Sequence, residues 1–225
     1  MISKIINIKK DYYTKKGVIN ALRGISFDIN SDDFIAIVGP SGSGKTTLLS
    51  IIGCLIHPTS GEVFFNDKKV TSISDKEQCK LRNEYIGFIF QFTYLVSHLT
   101  VLENILVPYL LTGKKITNQQ KEFAFDILSK LNMQDKADCF PRELSGGEIQ
   151  RTAIGRSLIN QPKILLADEP TGDLDIDSSI KIFDYFKELN KQGMAIVVVT
   201  HNKDLAKYAK DIYEIEKGII KQVYK

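Results

Sequence analysis

At 225 residues the chain is long enough for one large α/β domain, and 43% hydrophobic with 25% charged content supports a sizeable buried core. Its 30 basic residues against 27 acidic ones leave a formal net charge of +3, too balanced for a dedicated nucleic-acid binder. Cys54, Cys79 and Cys139 lie far apart with no C-x-x-C pair, which argues against zinc and for three reduced thiols of a cytosolic protein. The opening MISKIINIKKDYY lacks the uninterrupted apolar core of a signal peptide, and the longest apolar runs, such as IAIV and AIVVV, are strand-sized. The expected location is the cytoplasm, with any membrane attachment made through a partner.

In chain order, alternating stretches around 5–8, 21–29 and 62–65, broken by turn residues, predict a small antiparallel sheet. Residues 34–38 form the first of four apolar, strand-sized runs, followed by 86–90, 164–167 and 195–200. The last three are apolar on both alternations, as a sheet covered on two faces requires. TNQQKEFAFDILSKL sets Phe123, Ile127, Leu128 and Leu131 at helical spacing behind a Thr117/Gln120 capping box. Residues 178–190 carry Ile182, Phe183, Phe186 and Leu189 on one face. Strands alternating with helices imply a mostly parallel sheet. The block 92–160 is mainly helical and interrupts that alternation. The expected organisation is a single domain. Its core comprises 1–91, including the antiparallel part, and 161–225; residues 92–160 are an inserted helical sub-domain.

GPSGSGKTT runs through Gly39, Pro40, Ser41, Gly42, Ser43, Gly44, Lys45, Thr46 and Thr47, between the strand FIAIV and the helix TLLSIIG. It satisfies every fixed position of G-x-x-x-x-G-K-[ST], which makes the expected fold an α/β P-loop NTPase core. Gly42 and Gly44 let successive N–H groups point at one phosphate, and the helix dipole adds to them. Lys45 sets a cation against the β- and γ-phosphates, and Thr46 offers its hydroxyl to Mg²⁺. The chain is therefore expected to bind a nucleoside triphosphate. In ILLADEP, Asp168 ends a strand where a carboxylate holds magnesium-bound water, and Glu169 follows where it can orient or deprotonate the attacking water. The competing reading of DEP is a simple helix cap. His201, in VVVTHN, ends another buried strand and emerges at the same sheet edge.

ELSGGEIQR is a second anion cradle. Ser145 opens a helix, Gly146 and Gly147 permit close approach, and Glu148 follows. Two cradles in one chain both suited to a γ-phosphate imply a head-to-tail pair, in which ATP on one P-loop is covered by the other copy's SGG.

With LSGGE and QR, the P-loop and DEPTGDLD all present, the chain resembles the ATP-binding cassette family over essentially its whole length. The resemblance implies a RecA-like core, ATP hydrolysis with Mg²⁺, a homodimer and a separate membrane permease. It implies further that Tyr12 stacks on adenine, with Tyr13 as the lesser candidate, and that Gln91 reaches Mg²⁺ and the reactive water. Ser145, Gly146, Gly147 and Glu148 match the signature, Asp168 and Glu169 the Walker B pair, residues 173–175 the loop joining two subunits, and His201 the switch histidine. AIVGPSGSGKTTLLSIIGCLIHPTSGEV, IGFIFQ and LTVLENILVPYLL are similar to the MacB/LolD-type group, which powers export, extraction or mechanical signalling. The chain departs from that group at Ile56, Gly155 and Ser157. The glycine in a helix that favours alanine predicts close helix packing.

His57 reads as a surface turn residue. His98, Tyr94, Leu95, Val96 and Leu99 follow Gln91 and fit either a groove for the permease or helical core. Non-transport cassettes of chromosome, repair or translation proteins are the alternative function. Their long coiled-coil arms or second cassette find no counterpart between the P-loop and the signature of this sequence. A regulatory module without turnover is disfavoured by the presence of Glu169, His201 and Gln91.

Overall fold

The structure is a computed structural model describing residues 1–113 and 115–224. In chain order its elements are β1 (Ser3–Thr14), β2 (Gly17–Ile29), β3 (Phe34–Val38), α1 (Lys45–Ile52), β4 (Ser60–Phe65) and β5 (Lys68–Lys69). Next come α2 (Asp75–Tyr85), β6 (Ile86–Ile89), α3 (Val101–Leu110), α4 (Asn118–Lys130) and α5 (Gly146–Leu158). The chain finishes with β7 (Ile164–Asp168), α6 (Ile176–Lys191), β8 (Ala195–Val199), α7 (Lys203–Ala206), β9 (Asp211–Glu216) and β10 (Ile219–Tyr224).

Two sheets share the work. The first has the order β2-β1-β4-β5, with antiparallel pairing throughout, and contains the three alternating stretches of the N-terminal sequence. The second has the order β10-β9-β3-β8-β7-β6. Its four expected strands pair in parallel, Ile37 facing Val199, Asp168 facing Val199 and Ile89 facing Ala167. The non-sequential order requires crossovers, and helices supply them.

Period-two alternation splits the parallel sheet between two cores. Ile35, Ile37, Ile164, Leu166, Val197 and Val199 face α1 and the antiparallel sheet, where Leu48, Leu49, Ile5 and Ile8 meet them. Their neighbours Phe34, Leu165, Ala167, Ile196 and Val198 face α3, α4, α5 and α6. Fully burying such a side chain is worth about 1.5–3 kcal/mol. The apolar runs are therefore continuous because neither face of the strands meets water. The helical stripe of α4 buries Ile127 and Leu128, with Leu131 just beyond it, and α6 buries Ile182, Phe183 and Phe186.

The elements not expected from sequence include α2, β9 and β10. The helix α2 is exposed and polar, but Ser74 caps it and the Ser74–Glu77 capping box holds its first turn. The strands β9 and β10 extend the parallel sheet: β9 pairs with β3 in parallel, and β10 pairs with β9 antiparallel at the edge. Between them Lys217 and Gly218 both have positive φ, at 49° and 77°, as a tight hairpin turn requires. No helix among the described residues is long and apolar enough to cross a membrane.

Candidate active site

The carboxyl ends of the parallel strands form one edge, the place where α/β sheets of this kind bind ligands. Gly39 lies two residues past Ile37, Glu169 two past Ala167, His201 two past Val199 and Gln91 two past Ile89, so the paired registers deliver all four to that edge. Four segments far apart in sequence thus meet because the strands before them are locked in the core.

The loop from Gly39 to Gly44 is built around missing side chains. A Cβ on Gly39 would sit 2.2 Å from the carbonyl oxygen of Ile215, and one on Gly44 would sit 2.5 Å from that of Ala21. Both residues have positive φ, at 149° and 107°. The hairpin between β9 and β10 backs this loop, since Gly218 N–H donates to the Ser43 carbonyl at 3.1 Å. Ser43 is 4% exposed and its Oγ has no protein partner, so a buried hydroxyl is left for a bound group. Lys45 Nζ donates to the carbonyls of Gly39 and Pro40 at 2.8 and 2.9 Å, which holds the cation at the loop mouth.

Asp168 is 4% exposed at the end of β7. Burial raises its carboxyl above the ordinary value; a hydrogen bond from Thr46 opposes the rise, the Glu169 charge adds to it and Lys45 subtracts. A carboxylate this costly to charge is one that a divalent cation relieves. The Thr46 hydroxyl, the Asp168 carboxylate and the phosphate-directed loop therefore fit Mg²⁺ with a nucleotide. No separate cluster of three or more His, Cys, Asp or Glu suited to a metal occurs among the described residues, and the three cysteines are free.

Glu169 follows with φ 46°, a left-handed conformation that is uncommon for a non-glycine residue. Its N–H donates to the Val199 carbonyl at 2.9 Å. Its Oε1 accepts from the His201 backbone N–H at 2.9 Å and lies 2.8 Å from His201 Nδ1. The Glu169 side chain is 13% exposed against 78% for His201, so the pair presents the imidazole outward and the carboxylate inward. Glu169 does not cap the following helix. Asp175 does that, accepting from Ser178 N–H at 2.8 Å.

Ser145 caps α5: its Oγ accepts from Glu148 N–H at 3.3 Å, and Glu148 Oε2 accepts from the Ser145 N–H at 2.7 Å and its hydroxyl at 2.8 Å. Those two bonds from Ser145 hold the Glu148 carboxyl below its ordinary value. A Cβ on Gly146 would meet nothing within 4 Å, whereas one on Gly147 would meet Leu174 at 2.9 Å. α5 packs on α3, α4 and β6, while α1 packs on β1, β2, β7 and β8. The two cradles thus belong to different layers. Tyr12 lies on β1, 40% exposed, with Lys10 Nζ 5.3 Å from its ring centroid, and Tyr13 is 79% exposed.

The family described as ABC transporter matches residues 22–172. The lipoprotein-releasing system ATP-binding protein LolD of Aquifex aeolicus is 46% identical over 197 residues, 88% of each chain. The LolD of Buchnera aphidicola from Acyrthosiphon pisum is 40% identical over 98% of this chain and 96% of its own. A solved dimeric bacterial ABC transporter cassette superposes with TM-score 0.93 at 37% identity, covering 100% of both chains. A dimeric post-hydrolysis cassette bound to ADP and Pi superposes with the same TM-score at 36% identity, again over 100% of both.

The chain belongs to the ABC transporter family.

It is an ATP-binding, ATP-hydrolysing subunit of that family, similar to the LolD-type ATPases, and ATP with Mg²⁺ is the pair its P-loop takes. Gly155, where the chain departs from the MacB/LolD-type group, has its reason in packing on the face of α5 that meets α3 and α4. A Cβ there would lie 3.0 Å from Ile105, 3.2 Å from Ile127 and 3.2 Å from Leu131. The stretch after Gln91 is not core: Phe92 is 71% and Tyr94 82% exposed, and Val96 and His98 are exposed as well. Asn104, fully buried, staples it by bonding the N–H and C=O of Val96 and the carbonyls of Leu99 and Thr100. His57 is exposed, with Nε2 3.3 Å from Asp75 Oδ1. Gly218, behind the P-loop, escaped the sequence reading, and Gln150 was visible only as part of the QR after the signature, without its buried amide's bonds to Thr93 and Pro170. Each sits in a motif or turn visible in the sequence, but its partners are far away in the chain.

Proposed function

We propose that two copies of this chain close head to tail on two ATP molecules and that closure drives a separate membrane permease. In this reading each ATP is held by Gly39, Pro40, Ser41, Gly42, Ser43, Gly44, Lys45, Thr46 and Thr47 of one copy, with Tyr12 against the adenine. Ser145, Gly146, Gly147 and Glu148 of the other copy cover it. Lys45 exchanges its loop carbonyls for phosphate oxygens. Thr46, Asp168 and Gln91 would hold Mg²⁺, which would supply positive charge to offset that developing on the phosphates. Glu169 takes a proton from the attacking water, and His201, bonded to its Oε1, fixes the carboxylate and faces the γ-phosphate. Hydrolysis removes the group that both copies grip, and the pair reopens.

The observation that carries this reading is the placement of Glu169 at the ligand-binding edge, nearly buried and pinned to His201. The unfilled space at Gly146 supports a second polypeptide at the signature, because nothing in its own chain needs a glycine there. Exposed Phe92 and Tyr94, beside Gln91, support docking of the permease at that segment. The names of the Aquifex and Buchnera relatives favour extraction of lipoproteins as the work performed. Residues 92–160 act in this reading as a helical sub-domain carrying both the docking segment and the signature, and 1–91 with 161–225 as the nucleotide-binding core. The subunit then works on the inner face of the cell membrane, and nucleic acid has no part in it. Capture of the tagged chain from detergent-solubilised membranes tests this: an integral membrane protein is expected to co-purify. Recovery of coiled-coil or DNA partners in its place would overturn the transporter reading.

A further inference from the structure

Gln150 is 2% exposed, one and a half turns into α5 from Ser145. Its Nε2 donates to the Pro170 carbonyl at 2.9 Å, and its Oε1 accepts from the Thr93 hydroxyl. A proline carbonyl can only accept, so the amide has one admissible orientation and Thr93 must be the donor. The two partners flank the reactive residues. Pro170 follows Glu169 directly, and Thr93 stands two residues after Gln91.

Glu169 is thus fixed from three sides. Its N–H is held by Val199, its carboxylate by His201, and the next residue's carbonyl by Gln150. The first tether comes from the end of β8 and the second from His201, two residues past it. The third comes from the helix that begins at the signature. Over the five residues from Ser145 to Gln150 a helix rises about 7.5 Å and behaves as a stiff rod. A second bond runs from the same helix to the same loop, Arg156 Nη1 donating to the Tyr94 carbonyl at 2.8 Å. The segment 91–94 therefore rides on α5.

We propose that Gln150 is a positioning residue that transmits the seating of a chain's own signature to that chain's own Glu169 and Gln91. When Ser145 and Gly146 engage the partner's nucleotide, α5 shifts as a unit, and the Gln150 amide sets the Pro170 carbonyl and the Thr93 loop together. The water-activating groups of one site are then in place only when the chain's signature is occupied at the other. This rests on the assignment of Glu169 and Gln91 to the reaction centre.

The test uses the full chain with Gln150→Met, which keeps length and flexibility but removes both bonds, and Thr93→Val, which removes one. Gln150→Met is expected to lower kcat by about 10–100-fold, the scale of a small misplacement of reacting groups, with the KM for ATP changed less than about twofold on the same argument. In a Glu169→Gln background it should still form the ATP-dependent dimer. Thr93→Val should lower kcat less, and the double variant should be no worse than Gln150→Met, because both act through one relay. A folded Gln150→Met with wild-type kcat would overturn the proposal, as would effects that multiply in the double variant. If Gln150→Met fails to fold, Thr93→Val decides: a folded protein with wild-type kcat overturns it. Full turnover in Glu169→Gln alone would remove the general-base assignment, a result separable from the Gln150 and Thr93 measurements.

Discussion

Oε1 of Glu169 accepts a hydrogen bond from the backbone N–H of His201 at 2.9 Å and lies 2.8 Å from its Nδ1, across 32 residues of sequence. Two contacts to one oxygen leave the other carboxylate oxygen free to face a water. The same arrangement makes the carboxylate replaceable without disturbing the fold, because an amide oxygen can keep both contacts.

Glu169→Gln is therefore expected to bind ATP with unchanged affinity, to lose turnover by about 10²–10⁴, as removal of a general base does, and to accumulate as a closed dimer. Steady-state phosphate release and light scattering with ATP check both halves. A variant that stays monomeric with ATP would count against the sandwich.

The raised carboxyl of Asp168 gives a prediction with a sign. Its folded-state value lies above the unfolded one, with burial the first cause. The native state then binds the proton more tightly, so its charged form lowers stability once pH exceeds the folded value. The penalty vanishes as pH falls below the ordinary carboxylate value. Asp168→Asn keeps an acceptor for the Thr46 hydroxyl and removes the penalty. Nucleotide-free Asp168→Asn should melt higher than wild type at neutral pH, the gap should shrink on acidification, and Mg²⁺-dependent hydrolysis should collapse. Calorimetry across pH decides it. An Asn variant melting lower at neutral pH would be the wrong sign.

Gly146 and Gly147 stand side by side but answer to different neighbours. A Cβ on Gly146 touches nothing, while one on Gly147 meets Leu174 at 2.9 Å. Gly146→Ala should leave the melting temperature of the single subunit unchanged or slightly raised and still impair ATP hydrolysis, since in the proposed dimer it intrudes only on what the second copy presents. Gly147→Ala should lower the melting temperature as well.

Ser145→Arg separates the cap from the cradle. Loss of the bond from Glu148 N–H costs about 1 kcal/mol of stability. Hydrolysis is expected to stop, while ATP affinity of the isolated subunit stays within about twofold, because in the proposed dimer the signature serves another chain's nucleotide. A large loss of affinity in dilute protein, measured by a fluorescent ATP analogue, would place the signature in its own chain's site.

At Gly155 two magnitudes compete. Alanine gains about 0.5–1 kcal/mol of helix propensity over glycine, but its methyl meets Ile105, Ile127 and Leu131 at 3.0–3.2 Å. Overpacking costs about 1–3 kcal/mol, so Gly155→Ala should be destabilised by about 1 kcal/mol in urea titration.

How far the sequence could go is clear from the elements it revealed and those it hid. The parallel strands were legible because both faces are buried and every residue from 164 to 168 and from 195 to 199 is apolar or site-forming. The P-loop was legible because glycine spacing states a backbone path. The hairpin β9–β10 was not, since DIYEIE and IIKQVY mix charge with apolar residues at a sheet edge, and only the positive-φ pair Lys217–Gly218 marks the turn. The helix α2 hid for a similar reason, burying only Gln78. Glu169, His201 and Gln91 could be named from motifs, but their meeting depends on register between strands about 30 to 110 residues apart, a tertiary fact. The bond from Gln150 to Pro170 is of the same kind, being invisible until the helix is laid on the sheet.

The most direct measurement is specific ATPase activity of the purified chain as a function of its own concentration, at saturating ATP and Mg²⁺. Activity per subunit should rise with concentration and level off as pairs saturate, because in the proposed dimer each reaction centre takes groups from two chains. Activity per subunit that stays constant down to the most dilute solution would contradict the shared site.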